Sequence, residues 1–241
     1  MEKIESKNNQ KIKYLRSLCQ KKYRQIYSQF LIEGDHLIKE SYQANALVEL
    51  YMVDDDYYPD FNINKHIINE QIATSLKTTA SGSKVFGLCN FLQFSVSVAN
   101  KVLIMDRIND PGNIGTIIRS AYSFGFDLIL LTDNSVDIYN DKVIRASQGA
   151  IFHIPFKYMS AKDIIESLDL DLIVSDVSEG IDLNKVNYER LALVVGNEGA
   201  GVSQIFRAKA KALVRIETCA FESLNVGVAS AIMMYHFRKS R

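Results

Sequence analysis

The chain has 241 residues, 47% of them hydrophobic and 23% charged, enough for one large domain or two small ones with real cores. Its longest apolar runs are strand-length, which excludes a membrane-spanning helix, and the opening MEKIESKNNQKIKY lacks the apolar stretch of a secretory leader. With 28 basic and 28 acidic side chains the net charge alone gives no support to nucleic-acid binding, and a cytoplasmic location is expected.

The amino-terminal segment is less neutral than the whole. Residues 1 to 24 carry eight Lys/Arg against Glu2 and Glu5, so this stretch reads either as a solvated amphipathic helix or as an arm that neutralises phosphates. FLIEG then reads as a strand, DHLIKESYQ as a helix capped by Asp35, VELYMV as a strand, and GLCNFLQF as the last strand of a smaller α/β unit over residues 1–95. SVSVAN, at 95–100, reads as the linker.

From residue 100 the pattern changes. KVLIM (101–105), DLILL (127–131), IFHIPF (151–156), DLIVSD (171–176), LALVVG (191–196) and ALVRI (212–216) are apolar runs separated by helical stretches. Continuous apolar strands alternating with helices predict a parallel sheet covered on both faces, here over residues 100–241. The last helix, from Leu224 to Phe237, is apolar nearly all round and must be buried on most sides, in a core or against a second copy.

Three loops of this half carry chemistry-bearing residues. In DRINDPGNIGTIIRSAYSFG (106–125), Asn113 is placed to cap a helix whose Ile114, Ile117, Ile118, Ala121 and Phe124 face the sheet. Arg119 lies on the opposite stripe with Thr116, Ser120 and Ser123, and no acidic residue stands at i±3 or i±4 to pair with it. A lone exposed arginine is ordinarily a solvated one, yet two further loops bear on it. GNEGAG (196–201) displays Glu198 at the end of a strand, where open α/β sheets bind ligands, and Ser203 can cap the helix that follows. Ser223 and Asn225 stand at the start of the final helix. Neither GxGxxG nor a P-loop is present, which disfavours an ordinary nucleotide-binding enzyme. Cys19, Cys89 and Cys219 are far apart and the four histidines scattered, so no metal site is expected, and Cys219 reads as a small buried filler.

Together these stretches resemble the motifs of the SpoU (TrmH-like) RNA ribose 2′-O-methyltransferases of the SPOUT class. Asn113, Arg119 and Phe124-Gly125 match the first motif, Gly196 to Gly201 the second, and Ser223-Leu224-Asn225-Val226 the third. RASQGAIFHIPF (145–156) is similar to the family's intervening segment, and FLIEGDHLI resembles the amino-terminal, L30e-like substrate-binding domain of members that act on ribosomal RNA. Two positions depart from the pattern: Glu217 where the family usually has Pro, and Gly227 where it usually has Ser.

The resemblance implies a deep trefoil knot in the carboxyl-terminal domain, a homodimer that uses the last helix, and S-adenosylmethionine held near Gly196, Ile216, Leu224 and Asn225. It implies catalytic roles for Asn113, Arg119, Glu198, Ser223 and Asn225 and an RNA substrate, ribosomal before transfer RNA. A non-catalytic RNA-binding protein of the same fold is the other reading. In the family the motif-one arginine is proposed to act as the base or to organise it. Deprotonating a guanidinium at neutral pH costs about 7 kcal/mol, so Arg119 reads better as a bidentate clamp on substrate phosphate.

Overall fold

The computed structural model describes residues 2–54, 58–78, 82–96, 98–220 and 224–239, and the chain divides into two compact units. The first comprises Met1–Gln93 together with Tyr139–Phe152, and the second Phe94–Ile138 with His153–Arg241. The short stretch 139–152, which the alternation of strands and helices assigns to the second half, therefore packs with the first.

In chain order the first unit runs β1 (Glu2–Ile4), α1 (Gln10–Ser17), α2 (Lys21–Tyr27), β2 (Gln29–Glu33), α3 (Asp35–Gln43), β3 (Leu47–Met52), β4 (Asn64–Ile68), α4 (Glu70–Leu76) and β5 (Val85–Asn90). The strands form one mixed sheet in the order β1-β4-β3-β5-β2, with β5 antiparallel to both neighbours. Ile12 and Leu15 from α1, Leu18 at its carboxyl end, and Ile72 and Leu76 from α4 pack with Tyr51, Phe86 and Ile68 of the sheet. The expected strands and the helix 35–43 are present. The helix is capped by Gly34 at φ +100° rather than by Asp35, which occupies its first turn. The single basic helix expected at the start is instead a short strand and two helices.

The second unit contains β6 (Lys101–Asp106), α5 (Pro111–Ser123) and β7 (Leu128–Thr132); α6 (Asp141–Ser147) belongs to the first unit, and β8 (Phe156–Met159) resumes the second. There follow α7 (Ala161–Ser167), β9 (Leu172–Ser175), β10 (Ile181–Asp182), β11 (Leu191–Gly196), α8 (Gln204–Arg207), β12 (Ala212–Arg215) and α9 (Val226–His236). Among the described residues seven strands form a sheet, all parallel, in the order β10-β12-β9-β11-β6-β7-β8. The alternate residues Val102, Ile104, Val174, Ala192 and Val194 pack under Phe206 and Ile164 on one face. This parallel sheet with helices is the architecture that the apolar runs predict, with one correction: IFHIPF is not a strand, since Ala150–Phe152 forms a short 3-10 helix and β8 begins only at Phe156.

The N-cap of α5 lies three residues before the predicted one. Asp110 is its N-cap, accepting from the Asn113 N–H at 2.8 Å, and Pro111 takes the first turn. Asp followed by Pro is itself a start signal. The consequence for the site is direct: Asn113 sits inside the first turn, its side chain free of capping duty. Ile114, Ile117, Ile118 and Ala121 are buried as expected, while Thr116, Arg119 and Ser123 are exposed.

Candidate functional site

The loops after β9, β11 and β12 come together at the carboxyl ends of those strands, the edge at which open α/β sheets take ligands. They enclose a cavity of about 320 Å³, within the range of small-molecule sites. Its lining includes the apolar residues Ile216, Leu224, Val226, Ala229 and Met233 and the glycine-rich loop from Gly196 to Val202. Gly196, Ile216 and Leu224 thus line the cavity, whereas Asn225 is not part of its wall. Glu217 is exposed and also absent from the wall.

The GNEGAG loop folds back on the strand that leads into it. A Cβ at Gly196 would lie 2.4 Å from the Gly201 carbonyl carbon and the Val202 nitrogen, so only glycine permits this approach. Asn197 Oδ1 accepts from the Gly199 and Ala200 N–H groups, each at 3.0 Å, and the Gly201 N–H donates to Asn197 O at 2.9 Å. Glu198 is lifted clear on this turn and is exposed.

Its partner comes from a motif 85 positions away. Asn113 Nδ2 donates to Glu198 Oε1 at 2.6 Å, and Asn225 Nδ2 donates to Asn113 Oδ1 at 3.1 Å. Asn225 Oδ1 accepts in turn from the Gly227 and Val228 N–H groups, capping α9. A carboxylate, a carboxamide and a helix cap from three separate loops are therefore one hydrogen-bonded line. Asn225→Ala removes the cap, about 1 kcal/mol, and frees Asn113. The expected result is an unfolding midpoint lower by about 2–4 °C, read by calorimetry, with a loss of activity larger than that change in stability explains.

Gly227, a departure from the family pattern, is explained by this line. A Cβ there would lie 3.1 Å from Asn225 Oδ1 and 3.4 Å from Asn113 Oδ1, in a space already shared by the two carboxamides. Ser223 lies outside the described residues, and the N-cap of α9 is Asn225. Ser203 does hold the N-cap position of α8, but its hydroxyl makes no capping bond. Cys219 is exposed rather than buried.

Arg119 stands apart from the line. Its side chain is exposed, does not line the cavity, and has no hydrogen bond or ion pair among the described residues. It shares the outward face of α5 with Tyr122, which is 49% exposed.

Two groups that sequence reasoning missed brace the cavity. Asp106, buried at the end of β6, accepts from the Ser203 N–H at 2.7 Å, and Arg107 donates from Nη2 to the Gly201 carbonyl at 3.2 Å. Arg107 adopts φ +57°, an unusual conformation for a side chain of this size, and its carbonyl accepts from Asn197 Nδ2 at 3.2 Å. On the other side Arg207 pairs with the buried Asp176 and, at 2.8 Å, with Glu179, holding the loop after β9 against the cavity. An acid directly followed by a basic residue at the end of an apolar run was the one local signal for the first, and it does not reveal the burial. The second pair is 31 positions apart and left no local signal.

The SpoU rRNA Methylase family matches residues 100–235, the span that contains all three loops. The chain belongs to that family. It is an RNA methyltransferase that uses S-adenosylmethionine, and a cavity lined by apolar side chains and a glycine-rich loop suits an adenosyl group. The MRM3-like substrate binding domain matches residues 9–87. Among relatives, the 23S rRNA (guanosine(2553)-2′-O)-methyltransferase RlmP of Bacillus subtilis is 33% identical over 99% of this chain and 100% of its own length. Among solved structures, an rRNA methyltransferase from Sinorhizobium meliloti, bound to AdoMet, superposes with a TM-score of 0.88 at 24% identity, covering 98% of this chain and 97% of that one. The SpoU methyltransferase AviRb from Streptomyces viridochromogenes, also with AdoMet, gives 0.84 at 19% identity, covering 95% and 97%. At these identities the two structures speak for the fold of this SpoU family member. Among the described residues no helix is long and apolar enough to cross a membrane, and no group of His, Cys, Asp and Glu is placed to hold a metal ion.

Proposed function

We propose that this SpoU protein methylates a ribose 2′-hydroxyl in ribosomal RNA of the 23S type, in the cytoplasm and as a homodimer. The observation that carries the reading is the Glu198–Asn113–Asn225 line beside the cavity, three motifs drawn into one place by 2.6 and 3.1 Å hydrogen bonds. The full-length likeness to a 23S rRNA 2′-O-methyltransferase supports the choice of substrate.

When bound, S-adenosylmethionine supplies an electrophilic methyl group carried on a sulfonium. Gly196, Ile216 and Leu224 would hold it, through the backbone of the glycine loop and the apolar side chains. The protein must then place a 2′-hydroxyl in line and let its proton leave as the oxygen gains the methyl group. Arg119 clamps the adjacent phosphate with its planar fork, which fixes the ribose. The proton passes to that phosphate or to water. Glu198 fixes Asn113, and Asn113 and Asn225 present carboxamides towards the sugar. Ser223 is given a catalytic role on its match to the third motif alone.

The second copy is supported by what α9 leaves uncovered. Val228, Ile232 and Tyr235 recur at helical spacing and are 49%, 39% and 55% exposed. An apolar stripe of this kind on a helix otherwise buried suits a partner surface. Arg119 on the outward face of the neighbouring α5 would then complete a site shared between copies. The strand order, with β12 placed between β9 and β10, supports the trefoil knot of this fold.

Labelled methyl transfer to separated, unmodified ribosomal and transfer RNA tests the reading. Label in ribosomal RNA is expected. Label in transfer RNA alone would move the protein to the other substrate class, and label in neither, despite cofactor binding, would favour a binding protein of the same fold.

A further inference from the structure

The first unit carries an aromatic surface that the transfer chemistry does not use. On α2, Tyr23 and Tyr27 stand one helical turn apart with rings near parallel, 12° between planes and 6.4 Å between centroids. Tyr14 of α1 meets Tyr27 edge-on at 4.9 Å and 76°, and its hydroxyl donates to Gln29 Oε1. Gln29 is held in turn, its Nε2 donating to Asn90 Oδ1 at 2.8 Å. Tyr27 is thus fixed from behind by an anchored ring while remaining 47% exposed, and Ile26 beside it is 60% exposed.

Single exposed apolar residues are ordinary. What sets this surface apart is the charge around it. Lys13, Lys21 and Lys22 are exposed and form no ion pair among the described residues, and Lys22 Nζ lies 5.9 Å from the centre of the Tyr23 ring. Other cations of the same segment are engaged: Lys11 pairs with Glu2 at 2.9 Å, and Arg16 donates to the Lys7 carbonyl at 2.6 Å. The segment as a whole has eight basic residues against two acidic ones within 24 positions. Held aromatic faces bordered by free cations are the combination that captures unpaired nucleic acid, the rings stacking on bases while the cations follow the backbone.

We propose that Tyr23 and Tyr27, with Lys22 beside the Tyr23 ring and Lys13 and Lys21 exposed on the same segment, form a platform on which unpaired bases of the substrate RNA stack. The platform rests on the RNA reading of the protein and adds to it a preference for single-stranded segments near the target. Bases in a duplex are already stacked on each other and gain nothing from it. Tyr27 contributes its π-face, so phenylalanine can replace it and alanine cannot.

The test uses the full-length protein and a dye-labelled 12-nucleotide single-stranded RNA of mixed sequence, with an abasic strand of the same length and the corresponding duplex as controls. Binding is read by fluorescence polarisation. Tyr27→Ala is expected to weaken binding of the base-bearing strand about 5- to 150-fold, while Tyr27→Phe stays within about twofold of wild type. Tyr27→Ala and wild type are expected to bind the abasic strand equally. The double variant Lys21→Ala/Lys22→Ala lowers the slope of log affinity against log salt by about 1.4. Binding of labelled S-adenosylmethionine by equilibrium dialysis, expected to be unchanged in every variant, reports on the integrity of the second unit. Wild-type binding of the strand with no loss in Tyr27→Ala, or equal affinity for strand and duplex, overturns the platform and leaves the RNA reading standing. Failure of the wild type to bind either the strand or ribosomal RNA overturns both.

Discussion

Arg119→Ala lowers the rate of methyl transfer by about 10²- to 10⁴-fold, the range for loss of a group that positions or assists the reacting atoms, and leaves S-adenosylmethionine affinity and the unfolding midpoint at wild-type values. The separation follows from where the side chain lies. Arg119 is exposed, has no partner among the described residues and does not line the cavity, so its removal changes fold stability by no more than about 0.5 kcal/mol. Arg119→Lys keeps the charge but not the two parallel N–H donors, and recovers only part of the rate. Single-turnover transfer of labelled methyl groups, beside equilibrium dialysis of the cofactor, checks both variants. A lysine variant near the wild-type rate would rule out the need for a planar clamp.

Gly196→Ala has the opposite profile, with cofactor binding failing first. The added methyl group would sit 2.4 Å from the backbone of Gly201 and Val202, atoms that no side-chain rotation can move away. The loop must open, and it is pinned from behind by Arg107 on the Gly201 carbonyl and by Asp106 on the Ser203 N–H. Overpacking of this kind costs about 1–3 kcal/mol, equivalent to about 5- to 150-fold in affinity. Equilibrium dialysis is expected to register that loss, and the Glu198–Asn113 bond moves with the loop, so activity falls further still. Unchanged affinity would mean that the glycine loop does not hold the cofactor.

The parallel sheet was legible because its strands are buried on both faces and so read as unbroken apolar runs, KVLIM and LALVVG above all. The strands that escaped notice lack that signal. β4 places Lys65 and His66 inside Asn64–Ile68, β1 is three residues long and β10 two. The single expected amino-terminal helix is divided at Leu18–Gln20, a break that no proline or glycine marks. In the site, the types and order of the residues were readable and their bonding was not. Asn113 was assigned to cap α5 when Asp110 does so, which is what leaves the Asn113 carboxamide to join Glu198 to Asn225. Asp106 and Arg107 went unread because a buried acid at a strand end looks in sequence like an exposed one. The attachment of residues 139–152 to the first unit is a long-range packing event, and no local periodicity encodes it.

The position of the transferred methyl group tests the ribose chemistry most directly. Ribosomal RNA labelled by the protein from methyl-labelled S-adenosylmethionine would be digested with alkali, which cleaves next to every free 2′-hydroxyl and spares a bond beside a methylated one. The label is expected in alkali-resistant dinucleotides, and Arg119→Ala run in parallel is expected to lose it. Label recovered in mononucleotides instead would place the methyl group on a base, and would contradict the ribose chemistry assigned to Arg119 and the Glu198–Asn113–Asn225 line.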